Sequence, residues 1–219
     1  MFNAEKRKET RMKAVETLDS RKYNLTIGGA LLYGLIANVL LVLFARDFFL
    51  AMNPMVLIIG YFVLAIAGIL MVNISRNPIV SFVGYNMICV PIGALLSIVV
   101  PTYPMESIIA AILGTALVTG SMMILSMVFK DFFSRLGPVL FWSLLIGIVV
   151  EFITSLFGYG GDLFNWLFVV IFSLYIGYDW WKAQQYPKTL DNAIDSAVDL
   201  YLDIINLFLR LLEILGKKK

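Results

Sequence analysis

Near the end of this 219-residue chain, acidic residues stand where hydrocarbon is expected. Asp179 closes the run FSLYIGYD, and Asp195, Asp199, Asp203, Asn206, Arg210 and Glu213 follow within the next apolar stretch. Spacings of 4, 4, 3, 4 and 3 residues put those six on one face of a helix. The rest of that helix is Leu, Ile, Val, Phe and Tyr. A carboxylate on such a helix cannot face lipid, because ionisable groups in a bilayer are costly and turn toward a bundle interior or water. Cation passage and proton relay are the chemistries open to it.

The elements that carry these residues follow from composition. Hydrophobic residues make up 60% of the chain and charged residues 15%, with a mean hydropathy of +0.88. A soluble domain would be near half apolar and about one quarter charged. Apolar runs at 24–45, 52–74, 79–100, 105–129, 136–158, 163–181 and 192–215 each approach or exceed the roughly 20 residues that cross a bilayer. The chain reads as an all-α integral membrane protein with seven transmembrane helices. Breakers mark the connections, among them Asn53-Pro54, Asn77-Pro78 and Gly137-Pro138. Residues 1–22 form a polar arm, 23–216 a single membrane domain and 217–219 a basic tail. With the arm inside, twelve Lys and Arg fall on the cytoplasmic side and four on the other, which makes the N-terminus cytoplasmic. The tail runs against that asymmetry if the last segment crosses fully.

Several chemistries are excluded or unsupported. Histidine is absent and Cys89 is the lone cysteine, so the usual zinc ligands, the usual pH-sensing side chain and any intrachain disulfide are missing. No nucleotide loop, HExxH or serine triad is present, and the last span has no lysine for a retinal Schiff base. The net charge of +2 gives no reason to expect nucleic acid as a partner. No enzyme activity and no cofactor are expected.

Asp179 and Asp203 are the main candidates. The competing reading is a structural aspartate bonded to a nearby hydroxyl or capping a helix. Asp195 and Asp199 lie near the start of their span and read as a solvated vestibule or a helix-start charge bias. Glu151 is either an ion-path group or a snorkelling surface residue. Arg210 and Glu213, three apart, are expected to pair with each other. Asn38, Asn73 and Asn86 read as links between helices. Small residues spaced by four, Ala30/Gly34, Ala110/Gly114 and Ala116/Gly120, allow close helix packing.

The segments IFSLYIGYD (Ile171–Asp179) and LYLDIINLFLRLLEILG (Leu200–Gly216) resemble the closing signature of the Bax-inhibitor family, in its bacterial branch. The two aspartates stand 24 residues apart, and Gly84-Tyr85 and Lys130-Asp131 add to the likeness. The resemblance implies a last helix that is central and wrapped by two three-helix groups. It implies a calcium leak across a bacterial cell membrane, tuned by pH through an aspartate pair that falls on Asp179 and Asp203. It also implies a basic latch to the first aspartate, for which Arg76 is the candidate. Calcium is then the permeant ion, weakly and transiently held, since calcium prefers six to eight oxygen ligands and few carboxylates converge here. The lipid bilayer is the other expected partner. Two alternatives stay open: an interaction protein acting on a membrane protease or stress machinery, and a proton-coupled cation transporter.

Overall fold

The computed structural model describes residues 17–158 and 161–216, so most of the expected arm and the tail 217–219 lie outside the described residues. Among the described residues every regular element is helical. In chain order these are α1 (Ser20–Phe44), α2 (Arg46–Leu50), α3 (Pro54–Ile74), α4 (Pro78–Val99) with a single 3-10 turn after it, α5 (Met105–Val128), α6 (Lys130–Ser134), α7 (Leu136–Leu156), α8 (Asp162–Gln185) and α9 (Leu190–Leu215). Six are long and apolar enough to cross a membrane: α1, α3, α4 with its turn, α5, α7 and α8. They coincide with the first six expected runs. The seventh run is α9, 26 residues long and ample in length, but its charges set it apart from the others in apolarity.

Helix ends follow local chemistry. Asn53 and Asn77 cap α3 and α4, their Oδ1 atoms accepting from the backbone N–H of Met55 and Ile79 at 2.9 Å each, with proline in the first turn where no N–H is needed. Asp19 caps α1 in the same way through Lys22 N–H, so that helix starts at Ser20, inside the expected arm. Gly158, at φ +76°, ends α7 in the left-handed conformation that glycine adopts without strain. The short helices α2 (RDFFL) and α6 (KDFFS) stand where loops are expected, because five residues are too few to show a periodicity.

The helices fall into two compact units. The first holds α1–α4 and α9 as far as Tyr201; the second holds α5–α8 and α9 from Leu202 onward. In the first, α3 and α4 approach so closely at Gly68 that a Cβ there would meet the Gly84 carbonyl oxygen at 2.5 Å. Asn38 of α1 donates to Tyr201 Oη at 2.5 Å, Cys89 Sγ lies 3.4 Å from Asn38 Oδ1, and Ser81 Oγ donates to Asp191 at 2.8 Å. These bonds hold the first half of α9 to α1 and α4. Asn86 accepts from Tyr33 Oη at 2.6 Å and so links α4 to α1, whereas Asn73 donates only to Ile69 of its own helix. Of the expected small-residue contacts, Gly34 lies against Tyr85, while Gly120 has nothing within 4 Å.

Apolar side chains on the other helices point outward: Phe44 is 81% exposed, Leu163 79% and Leu117 72%. In water that surface would drive association, whereas in a bilayer it meets acyl chains. The last helix behaves in the opposite way. Ala193, Ala197, Leu200, Tyr201, Leu207 and Leu212 are all fully buried.

Candidate functional site

Asp179 and Asp203 both belong to the second unit, on α8 and α9. Asp179 is 8% exposed and Asp203 7%. Helix α8 does not stop at Trp181 but runs on to Gln185. Asp179 therefore sits a full turn deeper in its helix than the apolar run alone suggests. Lys182 hides that extension in the sequence, since a lysine reads as the end of a span although its stem packs as hydrocarbon. Two glycines seat this part of α8. Gly177 lies against the Phe133 ring of α6, and a Cβ at Gly137 would meet Tyr178 Oη at 2.6 Å.

Around the pair, Lys182 Nζ donates to Asp179 Oδ1 at 2.5 Å and stands 5.4 Å from the centroid of the Tyr178 ring. The side chains of that ion pair are 20% and 9% exposed. Tyr175, one turn before Asp179, lies within electrostatic reach of Asp203, Asp179 and Lys182 together. Asp203 Oδ2 is shut off from solvent. The group is thus two buried carboxylates, one ammonium and a phenol. Lys182 escapes the sequence reading, although an Asp and a Lys three residues apart on a helix are a visible pair.

A second polar group lies farther along the same unit. Arg210 donates to both oxygens of Glu151 on α7, at 2.6 and 2.8 Å, and to Asn165 Oδ1 on α8 at 2.9 Å. Its guanidinium carbon is 4.3 Å from the centroid of the Phe168 ring, within cation–π range. Glu213, the expected partner of Arg210, is 3.8 Å away and secondary, because the two-pronged geometry of Glu151 matches the guanidinium fork better. Glu151, expected as an ion-path group or a snorkelling surface residue, is thus one side of a two-pronged ion pair with Arg210. Tyr103, in the turn before α5, has its phenol raised above the usual range by burial and then by the Glu213 charge.

The other candidates lie in the first unit. Asp195, expected as a solvated vestibule or a helix-start charge, is 2% exposed and lies in the second turn of α9, with Asn192 and Ser196 beside it buried too. Asp199 is half-buried. Arg76 is exposed in the link between α3 and α4 and makes no ion pair among the described residues. Among the described residues no cluster of three or more metal-ligating side chains could cage an ion.

A family model described as Inhibitor of apoptosis-promoting Bax1 matches residues 15–219, which takes in every helix among the described residues. The chain belongs to the Bax-inhibitor family. Similar proteins include an uncharacterized protein of Helicobacter pylori, 32% identical over 127 residues, which are 56% of this chain and 53% of that protein. An uncharacterized membrane protein of Streptococcus pyogenes is 31% identical over 134 residues, 57% of this chain and 58% of that one. A BI1-like protein of Arabidopsis thaliana is 43% identical over 91 residues, 39% of this chain and 34% of its own length. The chain spans about half the length of the H. pylori relatives it matches. Bax-inhibitor membership and a multi-pass membrane location stand together with the six apolar helices.

Proposed function

We propose that this Bax-inhibitor protein is a pH-regulated calcium leak channel of a bacterial cell membrane. In this reading α9 is the seventh crossing, the N-terminus is cytoplasmic, and no catalysis or bound cofactor is involved. The observation that carries it is the burial of Asp179 and Asp203 on two helices of one unit, both within reach of Tyr175. Two buried carboxylates attract a divalent cation but supply too few oxygens to retain it. Weak holding suits permeation, where an ion must leave as readily as it arrives. Carboxylates that share a poorly hydrated place can also share a proton, which gives a chain without histidine a means of sensing pH. Protonation favours a hydrogen-bonded pair; full ionisation separates the two and leaves charge for a cation.

Purified protein in liposomes loaded with a calcium dye tests the reading. Calcium flux without any added protein supports the channel. Flux that requires an opposing proton gradient identifies a proton-coupled transporter instead. A protein that is folded and reconstituted yet silent identifies an interaction protein and removes the channel.

A further inference from the structure

We infer that Lys182 is the resident counter-cation of Asp179, holding from its own helix the position that a permeant divalent cation must take. The inference rests on the channel reading above and names a residue that sets how tightly the site holds its ion. An ion pair three residues apart on a wet helix surface contributes little. This pair is different. Lys182 Nζ lies 2.5 Å from Asp179 Oδ1, and both side chains are mostly buried. A bare carboxylate on an apolar helix is costly, so Asp179 needs a cation, and the chain supplies one. The same ammonium lies over the Tyr178 ring at 5.4 Å, where the aromatic face holds positive charge. Tyr175 on the preceding turn lies within electrostatic reach of Asp203, Asp179 and Lys182.

A divalent ion approaching Asp179 therefore meets a positive charge already in contact with the carboxylate. It has to displace the ammonium or share the aspartate with it, and either lowers its affinity. The flexible four-carbon stem of lysine permits displacement without moving the helix. The tethered ammonium keeps the site from becoming a calcium trap while preserving its negative character.

Terbium binding to the full-length protein in detergent tests this directly. Tb³⁺ is a luminescent stand-in for calcium, and Trp180 and Trp181 directly follow Asp179 in the sequence and can sensitise it. Removing one unit charge a few Å from a multivalent ion changes affinity by at least about tenfold even at the dielectric constant of water. Lys182→Met and Lys182→Gln should bind Tb³⁺ at least about tenfold more tightly than the wild type, and Lys182→Arg should bind it as the wild type does. Asp179→Asn should lose most of the signal. Equal affinity in wild type, Lys182→Met and Lys182→Gln overturns the inference. Misfolding of both neutral variants beside a well-folded Lys182→Arg also overturns it, by making the charge purely structural. The readout is binding rather than flux, so a wild type silent in liposomes removes the channel reading and leaves the terbium result to decide this one.

Discussion

Glu151→Gln removes one side of the Arg210 clamp while keeping its shape, and its cost follows from the geometry. Arg210 donates to both carboxylate oxygens at 2.6 and 2.8 Å, with the two side chains 22% and 30% exposed. An exposed ion pair contributes under about 1 kcal/mol, whereas breaking a fully buried one costs about 3–5 kcal/mol. This pair lies between, and Arg210 keeps Asn165 and a distant Glu213 after the change. A loss of about 2–3 kcal/mol follows. For a chain of this length that lowers Tm by about 5–10 °C. Tryptophan emission is the suitable probe, because Trp142, Trp166, Trp180 and Trp181 all belong to the second unit. Arg210→Met alone should cost a similar amount, and the double variant should fall short of the sum by about 2 kcal/mol, since each single change strands the other's charge. A melting temperature within about 1 °C of wild type for Glu151→Gln, or simple additivity in the double variant, would refute the assignment of the clamp.

Three further outcomes follow. Arg76 is exposed and makes no ion pair among the described residues, so Arg76→Ala should leave Tm within about 1–2 °C of wild type and leave the calcium leak at neutral pH unchanged; a raised leak in liposomes would restore Arg76 as a latch. Gly68→Ala places a Cβ 2.5 Å from the Gly84 carbonyl and should destabilise α3–α4 packing by about 1–3 kcal/mol, whereas Gly120→Ala, with open space around it, should be neutral in the same thermal assay. A reporter fused after Lys188 should read cytoplasmic and one after Gly160 external, as the distribution of basic residues requires; reversal at both positions would invert the topology.

Much of the fold is legible in the sequence because the membrane simplifies it. Seven apolar runs predict seven long helices, and of these six are long and apolar enough to cross a membrane; both Asn-Pro pairs form the cap and first turn that the dipeptide suggests. The carboxylates of α8 and α9 stand out against hydrocarbon, so Asp179 and Asp203 are visible before any coordinate. What is hidden is partnership. Arg210 has Glu213 nearby in sequence, yet it takes Glu151 from 59 residues away, because spacing along one helix carries no information about a fork-shaped match on another. Asp195 looks superficial by its place in the run and is buried. Lys182 looks like the end of a span and is part of the helix and of the site. The short helices α2 and α6 leave no periodic trace at all.

The measurement that bears most directly on the channel reading is the pH profile of calcium flux through purified protein in dye-loaded liposomes, compared with Asp179→Asn and Asp203→Asn. Both aspartates are buried in one unit and lie within reach of Tyr175. In this reading wild-type flux should depend on pH, because two carboxylates in one poorly hydrated place cannot both ionise freely. Each single substitution removes one of the two groups that would share the proton, so each should flatten that dependence while the protein remains folded by tryptophan emission. Wild-type pH profiles in both folded variants would contradict the pair as sensor and send the search to Asp199, the next acidic position on α9.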